Sequence, residues 1–175
     1  MNIDSLFEGF ESPTELDFKV NFKKFLIDGK LEPKTAALVA ISCAETVGCS
    51  PLLKFSEAYA KENGATDADI TEASDVAAVM GIANNYYRFR HFVSKDAYQK
   101  PAGFRMSLMG KPVTGKLNLE LMALAVSIIN GCENCVQGHE KSVIEHGGTE
   151  EMVHDTARLA STINGLNVLF RRKLR

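Results

Sequence analysis

The segment LNLELMALAVSIINGCENCVQGHEKSVIEHGGT, residues 117–149, decides the fold because it contains two helical runs and the turn between them. Its apolar residues recur at intervals of three and four, as on one face of a helix, without the strict alternation of a strand. Asn130-Gly131 interrupts the first run, and Gly147-Gly148 ends the second. The segment therefore predicts one helix over residues 117–129 and another over about 132–146.

An ungapped shift of 83 residues superposes the two halves of the chain, which indicates an internal repeat. Gly48 then coincides with Gly131, and Thr66 coincides with Thr149, so that helix breaks and helix caps fall in the same register. This shared register predicts two copies of a three-helix unit. Because reactive residues occur in the second half, we expect that half to hold a site and the first half to support it.

The predicted organisation is a single all-α domain over residues 1–175, built from two pseudo-repeated three-helix units. The units span about 34–92 and 117–175, and a connector rich in glycine and proline spans 93–116. The first thirty residues contain five phenylalanines, which predicts a segment packed against the body rather than a free tail.

The composition limits the classes of function. The chain has 175 residues, with 20 Lys plus Arg and 22 Asp plus Glu, for a formal net charge of −2. This near-neutral balance argues against a nucleic-acid partner, and no apolar run is long enough to predict a transmembrane helix or a membrane partner. The first residues lack the pattern of a signal peptide. We therefore expect a cytoplasmic protein, in which the four cysteines do not form a disulfide scaffold.

Two of the cysteines, Cys132 and Cys135, form a Cys-x-x-Cys motif that His139 follows. Positions three and seven residues apart share one helical face, so the two thiols and the imidazole can converge. The helix break before the motif places the pair in a first turn, where the helix dipole stabilises a thiolate and favours the earlier cysteine. Two thiols at this spacing can also close a disulfide and act as a two-electron redox couple.

Other interpretations of the cysteine pair remain open at this point. A structural zinc site wants four ligands, and the motif together with His139 supplies three. Ordinary buried cysteines are common in helical cores, and we expect Cys43 and Cys49 to be of this inert kind. A thioredoxin-type motif would need a βαβ context, and the sequence predicts no strands.

Glu120 is an acid inside an otherwise apolar run. A straight helix would separate it from Cys132 by roughly 18 Å, so spacing alone does not bring it to the thiols. From periodicity we expect this carboxylate at the solvent edge of its helix.

The arrangement of Glu120, the Cys132-x-x-Cys135 motif and His139 resembles the active-site pattern of the alkyl hydroperoxidase D family, within the larger carboxymuconolactone decarboxylase-like group. Residues 80–88 and the part of the connector that ends in Arg105-Met106 are similar to the same family. The resemblance covers nearly the whole chain. It implies an all-helical fold and a homo-oligomer, commonly a trimer.

The resemblance also implies the reduction of alkyl hydroperoxides and hydrogen peroxide, and of a partner peroxiredoxin of the alkyl hydroperoxide reductase C type. Electrons would come from dihydrolipoyl groups of a lipoylated acyltransferase, with no bound cofactor and no metal. By the same resemblance, Cys135 would attack the peroxide and pass through a sulfenic acid. Cys132 would supply a proton and then close the redox disulfide, and Glu120 with His139 would form the proton relay.

Asn134 departs from the family pattern, because many members carry a histidine just before the second cysteine. A neutral amide cannot carry charge or shuttle a proton, so we expect the peroxidase rate and its pH dependence to differ. Two other function classes stand beside the peroxidase. One is a zinc-binding redox sensor that uses Cys132, Cys135 and His139, and the other is a non-redox decarboxylase-like lyase, which would not need the cysteine pair.

Overall fold

The structure, a computed structural model, describes residues 2–173 of the chain. This part contains eight α-helices and two short 3₁₀-helices, without a β-strand, which confirms the expected all-α fold. The α-helices are α1 (Ile3–Leu6), α2 (Pro13–Leu26), α3 (Pro33–Val47), α4 (Ser50–Glu62), α5 (Asp67–Val93), α6 (Lys116–Ile129), α7 (Glu133–Glu145) and α8 (Glu150–Lys173). Within residues 2–173, the helices lack the combined length and hydropathy of a membrane span.

Local capping explains where the helices begin and end. Pro33 opens α3, and Gly48 ends it in a left-handed conformation with φ of 68°. The side chain of Thr66 caps α5, and Asp69 completes a reciprocal capping box. Gly131 has φ of 65° and turns the chain from α6 into α7. The helix stops that were predicted from glycine and the helix start that was predicted from Thr66 are therefore present in the structure.

The centre of the core is formed by α3 and α6, whose central stretches, residues 35–44 and 119–127, are buried throughout. The two helices pack against each other, and each also packs against the third helix of both halves, α5 and α8. Because both helices are covered on several sides, their side chains are apolar around most of the helix circumference. Burial of this apolar surface is the main source of stability.

Residues 2–30 pack onto the body, as their phenylalanines predict. Helix α2 lies against α8, and Phe7, Phe10 and Phe22 are buried. The rings of Phe7 and Phe10 lie 6.0 and 5.2 Å from the ring of Phe170 on α8. This aromatic cluster joins the two ends of the chain.

Contacts between equivalent positions support the proposal that the chain holds two copies of one unit. Helices α3, α4 and α5 begin at residues 33, 50 and 67, and α6, α7 and α8 begin 83 residues later in each case, at 116, 133 and 150. Thr35 and its equivalent Asn118 meet directly, since the Thr35 hydroxyl donates to Asn118 Oδ1 at 2.8 Å. Two copies related by a pseudo-two-fold axis would bring such equivalent residues together.

The third helix of each half contacts the first helix of the other half. The Asn84 side chain of α5 accepts a hydrogen bond at 3.0 Å from Asn130, which caps the end of α6. The equivalent Asn167 of α8 donates at 3.0 Å to the carbonyl oxygen of Val47, which ends α3. Each half therefore packs its third helix against the first helix of the other half, so the two halves share one core.

The connector runs over residues 94–115, because α5 continues through Val93 and α6 begins at Lys116. Near its end, the Glu72 carboxylate of α5 accepts hydrogen bonds from the backbone N–H groups of Val113 and Thr114, at 2.5 and 2.8 Å. These bonds hold the connector against α5 in front of α6.

Candidate active site

The cysteine pair lies at the start of α7, directly after the turn that ends α6. Cys132 is the N-cap residue of α7, and Cys135 lies in the first turn of that helix. Their sulfur atoms are joined in a disulfide bond, and their Cα atoms are 5.3 Å apart. The motif therefore forms a disulfide bond at a helix N-terminus.

The two cysteines differ in their access to solvent. Cys132 is buried, with 1% of its surface exposed. Cys135 is half-buried and lines a cavity of about 410 Å³. A small molecule that enters this cavity meets the sulfur of Cys135.

Most of the cavity wall is apolar. Helix α5 contributes Met80 and Tyr87, and the connector contributes Met106 and Met109. The polar part of the wall consists of Asn84, Glu120, Asn134, Cys135, His139 and Ser142. An apolar chamber with a few polar groups at one side is typical of a site for a small organic ligand.

Glu120 is buried, with 3% of its surface exposed, so the expectation of a solvent-edge acid was wrong. The physical reason is that α3, α7 and α8 all pack against α6 and leave no solvent edge at this position. The turn after α6 brings α7 back alongside, and Oε2 of Glu120 lies 2.6 Å from Nδ1 of His139. Burial alone would raise the pKa of Glu120, but hydrogen bonds from His139 and Lys116 lower the pKa to about 2. The carboxylate is therefore ionised at neutral pH.

Sequence reasoning missed Lys116, the first residue of α6. Its Nζ atom lies 2.7 Å from Oε1 of Glu120. The same ammonium donates to the carbonyl oxygen of Met109 at 3.2 Å. The spacing of four residues between Lys116 and Glu120 on one helix is a signal that could have identified the pair.

A polar network from α5 holds the turn in front of Cys132. The buried Asn84 side chain donates to the Ser127 hydroxyl at 2.9 Å and accepts from the Asn130 side chain at 3.0 Å. Arg88 donates to the carbonyl oxygen of Asn130. These bonds fix the end of α6, and so the start of α7 keeps its orientation toward the cavity.

The two remaining cysteines lie away from the cavity. Cys43 and Cys49 are free thiols, and both are buried. Burial raises the pKa of each thiol, which disfavours the reactive thiolate. Asn134 lines the cavity next to Cys135, and it occupies the position at which many members of the resembled family carry a histidine.

In the part of the chain that the structure describes, no group of three or more His, Cys, Asp or Glu side chains is arranged to hold a metal ion.

Comparison with known proteins assigns the chain to a family. The model of the carboxymuconolactone decarboxylase family matches residues 10–90 and 95–171. The chain is 40% identical over 167 residues to the alkyl hydroperoxide reductase AhpD of Anaeromyxobacter dehalogenans strain 2CP-C. The aligned residues cover 95% of this chain and 89% of that relative. It is 36% identical over 166 residues to the protein of the same name from Gluconacetobacter diazotrophicus, with 95% and 91% covered. The corresponding protein of Rhodopseudomonas palustris strain BisB18 is 33% identical over 169 residues, with 96% and 92% covered. The chain therefore belongs to the carboxymuconolactone decarboxylase family and, within it, to the alkyl hydroperoxidase D group.

Proposed function

We propose that this protein is a thiol peroxidase that reduces alkyl hydroperoxides and hydrogen peroxide through the Cys132–Cys135 couple. The observation that carries the proposal is the cavity, because Cys135 and His139 line it while the disulfide partner Cys132 is buried. The names of the similar proteins support the same class of reaction. In the mechanism that follows, the roles of Cys132, Cys135, His139 and Glu120 are part of the proposal.

The oxidative half-reaction begins when His139 accepts the proton of the Cys135 thiol. The Cys135 thiolate attacks the outer oxygen of the hydroperoxide, an S–O bond forms, and the O–O bond breaks. The departing alkoxide takes the proton of the Cys132 thiol and leaves as the alcohol. The Cys132 thiolate then attacks the sulfenic acid on Cys135, the disulfide forms, and hydroxide leaves as water with the proton from His139.

The position of Cys132 at the helix N-terminus suits its proposed role as the thiolate that closes the disulfide and later leaves from it. A thiolate there is stabilised by the unpaired backbone N–H groups and by the helix dipole. When an external thiol attacks the accessible sulfur of Cys135, Cys132 is the leaving group, and a stabilised thiolate leaves faster. The helix dipole, which favours Cys132 as a thiolate, is therefore compatible with Cys135 as the residue that meets the peroxide.

The electron donor that we propose is a dihydrolipoyl group on a lipoylated acyltransferase. One of its thiolates attacks the sulfur of Cys135, and a mixed disulfide forms as Cys132 leaves. The second dihydrolipoyl thiol closes the lipoyl ring and releases Cys135. The reduced pair can pass its electrons in the same way to the disulfide of a peroxiredoxin of the alkyl hydroperoxide reductase C type. No bound cofactor takes part.

We also propose a homo-oligomer, a trimer, with an interface on α5 and the connector. The supporting feature is an aromatic patch that consists of Phe89, Phe92, Tyr98 and Phe104, whose exposed fractions lie between 42% and 74%. The rings of Phe89 and Tyr98 lie 5.3 Å apart, and exposed apolar surface of this kind is typical of an interaction site. We place the activity in the cytoplasm, where thiols are kept reduced.

The first test is turnover with cumene hydroperoxide, lipoamide, dihydrolipoamide dehydrogenase and NADH. We expect the wild type to consume NADH and Cys135→Ser to lose this activity, because the sulfur at the cavity is gone. Cys43→Ala, which removes a buried free thiol, is the matched control and should keep the wild-type rate. Equal rates for the wild type and Cys135→Ser would refute the mechanism.

The second test identifies the cysteine that becomes oxidised first. In Cys132→Ser, the sulfenic acid on Cys135 has no resolving thiol and should react with a dimedone probe after addition of hydroperoxide. Labelling of Cys132 in Cys135→Ser, without labelling of Cys135 in Cys132→Ser, would overturn the assignment.

The two other function classes have distinct outcomes. Stoichiometric zinc in anaerobically purified protein would contradict the peroxidase and support a redox sensor. Full activity in a protein with both Cys132→Ser and Cys135→Ser would instead support a lyase that does not use the thiols.

A further inference from the structure

We propose that Lys116 is a positioning residue of this site. It acts through Glu120, whose carboxylate it keeps ionised and aligned with His139. The same ammonium also links Glu120 to the part of the connector that lines the cavity. The consequence for turnover rests on the proposed function, whereas the consequence for the reactivity of the Cys135 thiol does not.

The first step of the argument is the division of the Glu120 carboxylate between two partners. Oε1 lies 2.7 Å from Nζ of Lys116, and Oε2 lies 2.6 Å from Nδ1 of His139. The Glu120 side chain is 4% exposed and that of Lys116 is 37% exposed, so the ammonium reaches from the surface into the interior. A carboxylate held in this way fixes the imidazole through Nδ1 and leaves Nε2 for proton exchange in the cavity.

The second step is that helix stability does not explain a lysine at this position. The N-terminus of a helix is the positive end of its dipole, so a cation in the first turn of α6 is unfavourable. In addition, a lysine four residues before a glutamate is the less favourable order of the two for an ion pair on a helix. Lys116 therefore opposes the local preferences of the helix that it begins.

The third step is the comparison with the other half of the chain. The residues 83 positions before Lys116 and Glu120 are Pro33 and Ala37. Proline is well suited to the first turn of a helix, and the buried Ala37 makes no ion pair. The Lys116–Glu120 pair thus occurs in the half that carries Cys132 and Cys135, and the other half has no equivalent of it.

The fourth step is the link to the connector. Nζ of Lys116 also donates to the carbonyl oxygen of Met109 at 3.2 Å, and Met106 and Met109 both line the cavity. One ammonium group therefore joins the wall that would contact an apolar substrate to the carboxylate that aligns His139.

The charges around the site decide the direction of the expected pH effect. The titratable side chains that share the cavity with Glu120 are His139 and Cys135 of α7 and Tyr87 of α5. Removal of the Lys116 ammonium takes one positive charge from this group. With one positive charge fewer beside Glu120, deprotonation at the site becomes less favourable, which predicts that the pH-dependent effects move to higher pH.

The test compares Lys116→Met with Lys116→Arg and with a matched control, Lys141→Met. Lys141 forms an exposed pair with Glu145, four residues later on α7, at 3.7 Å, so its removal deletes a similar helix pair outside the cavity. Two properties are measured across pH: turnover of cumene hydroperoxide, and the rate at which iodoacetamide alkylates Cys135 in the reduced protein. Circular dichroism verifies folding, and Lys116→Gln replaces Lys116→Met if the latter is unfolded.

We expect Lys116→Met to move the acidic limb of turnover and the midpoint of alkylation upward by about one pH unit. Lys116→Arg should restore both, and Lys141→Met should match the wild type. If Lys116→Met follows Lys141→Met in both measurements, the inference is wrong. If the wild type does not reduce hydroperoxide, the proposed function fails, and the alkylation midpoints alone then support or overturn the role of Lys116.

Discussion

Cys132 and Cys135 have the same side chain but different surroundings, because α7 begins between them. Cys132 is the buried N-cap residue, where unpaired backbone N–H groups stabilise a thiolate. Cys135 is one turn further along and lines the cavity. Access favours Cys135 as the sulfur that meets external molecules, and the helix terminus favours Cys132 as the thiolate that leaves. The chemical division of labour that we propose follows from this single difference in position.

At the same scale, the lowered pKa of Glu120 predicts how the free energy of unfolding depends on pH. Its pKa in the folded protein is about 2, below its ordinary value of 4.5, so the ionised form contributes stability that is fully present above pH 4.5 and is lost as the pH falls toward 2. In Glu120→Gln this contribution is absent. We therefore expect the free energy of unfolding to fall more steeply with decreasing pH in the wild type than in Glu120→Gln, as measured by urea denaturation at a series of pH values.

The control for this experiment is Glu133→Gln, which alters an exposed carboxylate at the start of α7. Its pH dependence should follow that of the wild type. Parallel curves for Glu120→Gln and the wild type below pH 4.5 would contradict the role of the ion pairs at Glu120.

At the scale of helices, two acidic residues hold equivalent loops. Glu72 of α5 binds the backbone N–H groups of Val113 and Thr114, ahead of α6. The equivalent Asp155 of α8 binds the backbone N–H of Lys30, ahead of α3, at 2.8 Å. Lys30 and Val113 are themselves equivalent in the 83-residue register. Each third helix thus holds the loop that leads into the first helix of the other half, but the loop held by Glu72 belongs to the connector that supplies part of the cavity wall.

This arrangement predicts different effects of Glu72→Ala and Asp155→Ala. Both should lower the free energy of unfolding by about 1–3 kcal/mol, since backbone donors lose a buried carboxylate partner. Glu72→Ala should also raise KM for cumene hydroperoxide, because Met106 and Met109 are no longer held in place. Asp155→Ala should leave KM unchanged. Urea denaturation and steady-state kinetics measure the two effects, and an equal KM for both variants would show that the connector does not position the substrate.

At the scale of the whole molecule, the first half does more than support the second. The sequence led us to expect a site within the second half, yet Met80 and Tyr87 of α5 form part of the cavity wall. Asn84 and Arg88 of the same helix hold the turn before Cys132. The cavity therefore lies between the halves, because α5 packs against both α6 and α7.

The aromatic patch predicts how the molecule associates. Phe92 is 74% exposed, and an aspartate in its place would have to be desolvated in an apolar interface. We expect Phe92→Asp to sediment as a smaller species than the wild type in analytical ultracentrifugation. Val168→Asp changes a side chain on α8 that is 64% exposed and lies outside the patch, so it should sediment like the wild type. An unchanged oligomer in Phe92→Asp, or a monomeric wild type, would contradict an interface on this patch.

The sequence by itself determined the helices and the core of the motif. Caps, glycine stops and helical periodicity act over a few residues, so the ends at Gly48 and Gly131 could be read from the chain. Cys132, Cys135 and His139 are neighbours along one helix, and their spacing is enough to place them on one face.

The tertiary structure decided which residues from other helices meet this face. Glu120 of α6 is paired with His139 of α7, and Met80 of α5 and Met109 of the connector line the same cavity as Cys135. The physical reason is that such distances depend on how α5, α6 and α7 cross one another. Packing of their apolar surfaces sets these crossings, and the number of residues between two positions does not.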